Sequence, residues 1–201
     1  MYQDLKGKYE EKKQEITKRL QDFKKLSEED IFYEMCFCIL TPQSKGRRAD
    51  KAVQELKRRN FKNNPFNPSP FLEKNIRFHN TKAKRLLILQ KDYNKIKKGL
   101  DNISSPEDKR LFLLENINGY GLKEASHFLR NTGHENLAIL DRHILKNLQK
   151  YNVIKEVPRH LSKSQYLDIE KKFGGFSKKV NIPMDHLDLL FWSFETGEVF
   201  K

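Results

Sequence analysis

Apolar residues recur at three- and four-residue intervals along nearly the whole chain, and strict apolar–polar alternation never persists long enough to argue for a sheet. That period restricts the fold class to all-α, with many short helices. Residues 2–26 set Leu5, Tyr9, Ile16, Leu20 and Phe23 on one side of a charged amphipathic segment. Ser27 and Asp30 read as a capping box that opens a strongly apolar helix ending near Pro42. Further helices are expected over 44–59, 81–97, 106–117, 122–131, 141–151, 164–173 and 184–195. The stretch FKNNPFNPSPF, with three prolines, reads as a turn-rich connection. No repeat and no flexible linker interrupts the pattern.

A chain of 201 residues is one large domain or two small ones, enough to bury a core. Charge then narrows the partners. A net charge of +13 makes a folded domain repel itself, and a polyanion relieves that repulsion. No apolar run approaches the length of a bilayer span and no signal-peptide pattern opens the chain, so nucleic acid is favoured over membrane lipid. A lysine-rich solvated surface is the plainer alternative. The two cysteines, Cys36 and Cys38 in IFYEMCFCIL, point in different directions on a helix and read as small core residues. There is no cysteine quartet for an iron–sulfur cluster or zinc.

One tight corner stands out. In NINGYGLKEASHFLRN, residues 116–131, Gly119 and Gly121 separate two helical runs and permit backbone angles or close approaches that a side chain would forbid. Such a turn leaves amide N–H groups unpaired at the positive end of the next helix, a ready phosphate site. An ordinary αα-hairpin also accommodates glycine there, and both readings stand. Lys123 falls in the first turn of that helix, where the macrodipole disfavours an ammonium. It could bind phosphate, or it could attack carbon as the neutral amine. Asp141, in AILDRHI, follows an apolar run and begins another helical pattern, so it suits an N-cap. It lies 141 − 123 = 18 residues beyond Lys123. A carboxylate has acceptor sites to spare, so capping and catalysis are compatible.

The motif INGYGLKEAS…AILDRHI resembles the helix-hairpin-helix, Gly/Pro-rich loop and aspartate signature of the HhH-GPD DNA glycosylases, with Asn118-Gly119 where family members have proline-glycine. LTPQS at 40–44 and IRFHNTKAKRL at 76–86 match in order. The length, the helical N-terminus and the ending LDLLFWSFETGEVFK are most similar to the archaeal-type, or type 2, 8-oxoguanine DNA glycosylases.

The resemblance implies two helical subdomains with a cleft between them, one spanning 30–136 and the other formed by 1–29 with 137–201. It implies Lys123 as nucleophile and Asp141 as its partner in a bifunctional glycosylase and AP lyase. Gly119 and Gly121 would grip a phosphate, and Gln43 would enter the space left by an extruded base. Lys201, through its terminal carboxylate, and Trp192, through its ring face, would read the base. Phe78 and His79 would lie near the lesion strand, although His79 also suits a helix start.

No cofactor is expected and no iron–sulfur cluster. A monovalent cation, K+ or Na+, would sit on the backbone carbonyls of Glu115, Ile117 and Tyr120. The expected partner is double-stranded DNA containing oxidised guanine, bound by a monomer in the cytoplasm at the nucleoid, with no membrane. The alternatives are a glycosylase of this fold for another damaged base, and a non-enzymatic helix-hairpin-helix DNA-binding protein.

Overall fold

The computed structural model describes residues 2–201, and among them the regular structure is entirely helical. In order, the helices are α1 Tyr2–Phe23, α2 Glu28–Leu40, α3 Gly46–Arg58, α4 Ser69–Leu72 and α5 His79–Asp101. They continue with α6 Pro106–Asn116, α7 Leu122–Asn131, α8 Arg142–Lys150, α9 Lys163–Val180 and α10 Met184–Thr196.

The chain divides into two compact units. One runs from Leu26 to Phe128; the other joins the chain up to Lys25 with Leu129–Lys201. The seams thus fall before the 29/30 and 136/137 boundaries expected from sequence. The second lies inside α7, because the end of that helix is built into the discontinuous unit. Arg130 there is 2% exposed, stands 3.3 Å from the Asp188 carboxylate, and lies 5.2 Å over the Phe23 ring.

The continuous unit is organised around α2. Every residue from Phe32 to Leu40 is buried, as an apolar run on all faces requires. α2 packs on α3 and α5, and α5 in turn on α4 and α6. Phe32 sits edge-on to Tyr93, 5.0 Å between ring centres. Cys36 and Cys38 are buried and form no disulfide, and burial beside Glu34 raises the Cys36 thiol well above its usual range. The start of α2 differs in detail from a reciprocal capping box. Ser27 Oγ accepts from the Asp30 amide at 3.1 Å, and the Asp30 carboxylate is engaged mainly by the Ser27 hydroxyl and Lys57.

In the discontinuous unit α10 is the hub, packed by α1, α8 and α9. Leu187, Leu189, Leu190 and Phe191 are wholly buried, and Phe191 stacks on Tyr151 at 5.7 Å. α9 continues to Val180, past the 173 expected from sequence. Gly174 and Gly175 suggest an end there, but Phe173, Phe176 and Val180 all bury, and that apolar face carries the helix through the glycines.

Candidate active site

The hairpin of the continuous unit is built by local rules. Ser105 caps α6, its Oγ accepting from the Asp108 amide at 3.2 Å, with Pro106 at the first helical position. Ile117 turns extended and ends the helix, and the Tyr120 amide folds back to the Ile117 carbonyl at 3.1 Å. Gly119 has φ +97°, a left-handed conformation that L side chains rarely adopt. A Cβ there would also meet the Arg85 side chain at 2.7 Å. Tyr120 is buried and its hydroxyl donates to the Met35 carbonyl at 3.1 Å, anchoring the turn on α2. That pins the start of α7.

Lys123 is the second residue of α7, with its side chain 30% exposed and Nζ 3.0 Å from Glu124 Oε1. The other oxygen of Glu124 accepts from the Gly121 amide at 3.0 Å. Glu124 therefore forms the returning half of a capping box, with glycine where serine or threonine would stand, and also holds the lysine head. The sequence reading passes over Glu124. The available signal was a glutamate three residues after the cap position, hidden because Gly121 does not look like a cap. Since the Gly121 amide is taken, an anion at this turn would meet the following orphan amides at the head of α7.

Two more candidates from the sequence lie in this unit. Gln43 is exposed in the turn between α2 and α3, with φ 56°. Phe78 precedes α5 with φ 57° and is 54% exposed, its ring faced by the Arg77 guanidinium at 5.3 Å. His79 is the first residue of α5.

The discontinuous unit carries the remainder. Asp141 is the N-cap of α8 in extended conformation, and its Oδ1 accepts from both the His143 and Ile144 amides at 2.8 Å. A single oxygen does all the capping. Its partner, Oδ2, makes neither capping bond, so the carboxylate can do two jobs at once. His143, also passed over in sequence, lies two residues on; its ring packs against Trp192 at 4.9 Å between centres, and Nδ1 is 3.5 Å from Glu195. Trp192 is half-buried on α10, not deep in the core. Beyond Gly197, which ends α10 with φ 77°, Val199 is buried and Lys201 half-buried, so the tail is anchored at its penultimate turn.

Among the described residues no cluster of three or more His, Cys, Asp or Glu could hold a metal ion. A monovalent cation needs only carbonyl oxygens. Ile117 has its carbonyl turned out of the helix, with one lone pair taken by the Tyr120 amide and one remaining.

A hairpin anchored by glycine and tyrosine, opening a helix with a paired lysine, within an all-α chain, is the architecture of the helix-hairpin-helix proteins. The chain belongs to the Ogg-HhH family, described as 8-oxoguanine DNA glycosylase, whose family model matches residues 16–182. A similar relative is the 8-oxoguanine DNA glycosylase/AP lyase of Fusobacterium nucleatum, 42% identical over all of this chain and 97% of the relative. Another, from Methanocaldococcus jannaschii, is 38% identical over 92% of this chain and 91% of its own.

Among solved structures, the 8-oxoguanine DNA glycosylase of Thermotoga maritima superposes with a TM-score of 0.86 at 32% identity, covering 100% of this chain and 98% of that one. The M. jannaschii glycosylase/lyase in complex with a 15mer DNA containing 8-oxoguanine superposes with a TM-score of 0.82 at 34% identity, covering 98% of this chain and 99% of that one.

Proposed function

We propose that this protein binds double-stranded DNA containing 8-oxoguanine, extrudes and excises the oxidised base, and then cuts the strand at the resulting site. The observation that carries this reading is Lys123 at the head of α7, held 3.0 Å from Glu124 on a hairpin that leaves amides for a phosphate. Family membership supports both the glycosylase and the lyase activity.

The base must first leave the stack, at a cost of a few kcal/mol. Gln43, exposed on its turn, fills the vacated space. The amides heading α7 take a backbone phosphate, and a monovalent cation on the Glu115, Ile117 and Tyr120 carbonyls would add positive charge beside it. Lys123 must shed a proton before attack, and the Glu124 carboxylate is within reach to accept it.

The Lys123 amine then bonds to C1′ while the bond from C1′ to the base nitrogen breaks and its electron pair leaves with the base, which is protonated. Asp141 offsets the positive charge that develops on the sugar. Opening of the C1′–O4′ bond gives an iminium. That cation makes the C2′ proton acidic; its removal expels the 3′ phosphate by breaking the C3′–O bond, and hydrolysis of the imine frees Lys123. The lesion carries a hydrogen on N7 where guanine carries a lone pair. An acceptor at that point, the terminal carboxylate of Lys201, would select the lesion, with Trp192 as the stacking face.

The protein acts as a monomer, in the cytoplasm at the nucleoid. Among the described residues no helix is long and apolar enough to cross a membrane.

Borohydride trapping tests the reading. Duplex oligonucleotides with 8-oxoguanine should give a covalent protein–DNA adduct that Lys123→Gln abolishes. A non-enzymatic DNA-binding protein would give none, and an adduct only with oxidised pyrimidines would move the substrate to another lesion.

A further inference from the structure

Among a great many surface lysines, Lys82 is buried, at 2% exposure, in the first turn of α5. Its Nζ donates to the Leu40 carbonyl at 2.7 Å, the Pro42 carbonyl at 2.6 Å and Ser44 Oγ at 3.1 Å. An ammonium has three N–H donors, and all three are used. The acceptors span the segment leaving α2, beginning with a carbonyl that the helix end leaves unpaired. Ser44 Oγ also accepts from the Arg77 amide at 3.2 Å. One ammonium and one hydroxyl thereby join the turn after α2 to the turn before α5.

Those two turns share a second property. The described non-glycine residues with left-handed backbone are Gln43, Asn60, Phe78, Asn136, Asn152 and Asn181. Asparagine tolerates that conformation; glutamine and phenylalanine have no local reason to adopt it. Both exceptions are exposed and both sit in the turns that Lys82 and Ser44 join. Strained residues persist only where their surroundings over-determine them, and here the surrounding restraint is identifiable.

We propose that Lys82 is a positioning residue for base extrusion: its ammonium locks the two turns together so that Gln43 and Phe78 are presented as one wedge to the duplex. The proposal rests on the reading of this protein as a glycosylase that flips its base. Lys82 itself touches no substrate. It acts by fixing two left-handed backbones that would otherwise relax, and a relaxed wedge would leave the extruded base free to restack.

The test compares two substrates. Excision of 8-oxoguanine from a fully paired duplex needs extrusion; borohydride trapping on an abasic site in a single strand has no base to extrude. Lys82→Met keeps the length and apolar stem but removes the three donors. It should lower duplex excision about 100-fold, the scale of an ångström-sized misplacement, while single-strand trapping stays within about threefold. Gln43→Ala, exposed and remote from the core, should show the same duplex-specific loss, and the Gln43→Ala/Lys82→Met double variant should be no slower than Lys82→Met alone.

Equal losses on both substrates, or none on either, overturn the proposal; so does a double variant whose losses multiply. Should Lys82→Met fail to fold, Gln43→Ala and Phe78→Ala decide: independent, multiplying effects refute a joint wedge, and a shared, non-additive loss supports it. If the wild-type protein traps on abasic sites but leaves 8-oxoguanine in place, the substrate reading has failed. The brace is then judged on whichever duplex lesion is excised.

Discussion

The starts of α7 and α8 solve the same problem in opposite ways. Each helix begins with amides that lack intrahelical partners and with partial positive charge. At α8, Asp141 meets both demands with a single oxygen, accepting from the His143 and Ile144 amides at 2.8 Å. At α7 the cap is glycine, the second residue is a lysine that the dipole disfavours, and a carboxylate from the third position turns back to the Gly121 amide at 3.0 Å. The α8 start obeys every local preference, so its aspartate would be explained without any catalytic role. The α7 start runs against local preference and is repaired by Glu124, and departures of that kind concentrate at functional sites.

The contrast can be broken most decisively at Lys123. Lys123→Gln should reduce borohydride trapping and strand cleavage on the order of a thousandfold or more, since the nucleophile itself is lost. Thermal stability should not fall with it, because the lysine opposes the dipole; a large loss of melting temperature would make Lys123 a structural residue.

At α8 the two jobs of Asp141 can be separated. Asp141→Asn keeps a cap acceptor but no charge, and should cost about 100-fold in single-turnover excision with little change in melting temperature. Asp141→Ala should add a stability loss of about 1 kcal/mol, the worth of an N-cap. Equal excision by the asparagine variant and wild type would return Asp141 to capping alone.

Glu124→Gln sharpens the α7 side. The amide oxygen can still accept from Gly121, so the fold should hold, while the lysine loses its ionic tether. A drop of about tenfold in the rate of adduct formation is expected, from less precise placement of the amine. Gly119→Ala should destabilise by about 1 kcal/mol or more through its positive φ, with added displacement of Arg85, and should weaken DNA binding measured by titration.

A smaller effect reports on the charges near α7. Lys82 is pushed down from 10.5 to about 8, first by burial, then by the like charges of Arg85 and Lys123, with Glu124 opposing. Between about 8 and 10.5 the unfolded chain keeps a proton that the folded chain has released. The folded state is therefore favoured progressively as pH rises through that window. Relative to Lys82→Met, the wild-type melting temperature should gain with each step from pH 8 to pH 10; a constant difference would mean that the lysine does not titrate there.

Much of this molecule could be read from one strand of text because it depends on contacts between near neighbours. The bounds of α7 and the glycine turn before it follow from a few adjacent residues, and the caps Ser27, Ser105 and Asp141 act within three positions of themselves. α9 runs past the expected end at 173 to Val180, because the burial of Phe176 and Val180 overrules the low helix propensity of Gly174 and Gly175. Glu124 was missed although it too acts locally, because its cap partner is a backbone amide on a glycine.

What sequence by itself determined is the helical class, the hairpin and the lysine and aspartate at two helix heads, since helical period and capping are set by residues within a turn of one another. Tertiary structure alone decided that Lys82 is buried, 2% exposed, among Leu40, Pro42 and Ser44, some forty residues away in the chain, that Arg130 pairs with Asp188 within the discontinuous unit, and where the seam between units falls. Burial and ion pairing are properties of what surrounds a side chain in space. No local pattern encodes that for a lysine in a chain already crowded with them.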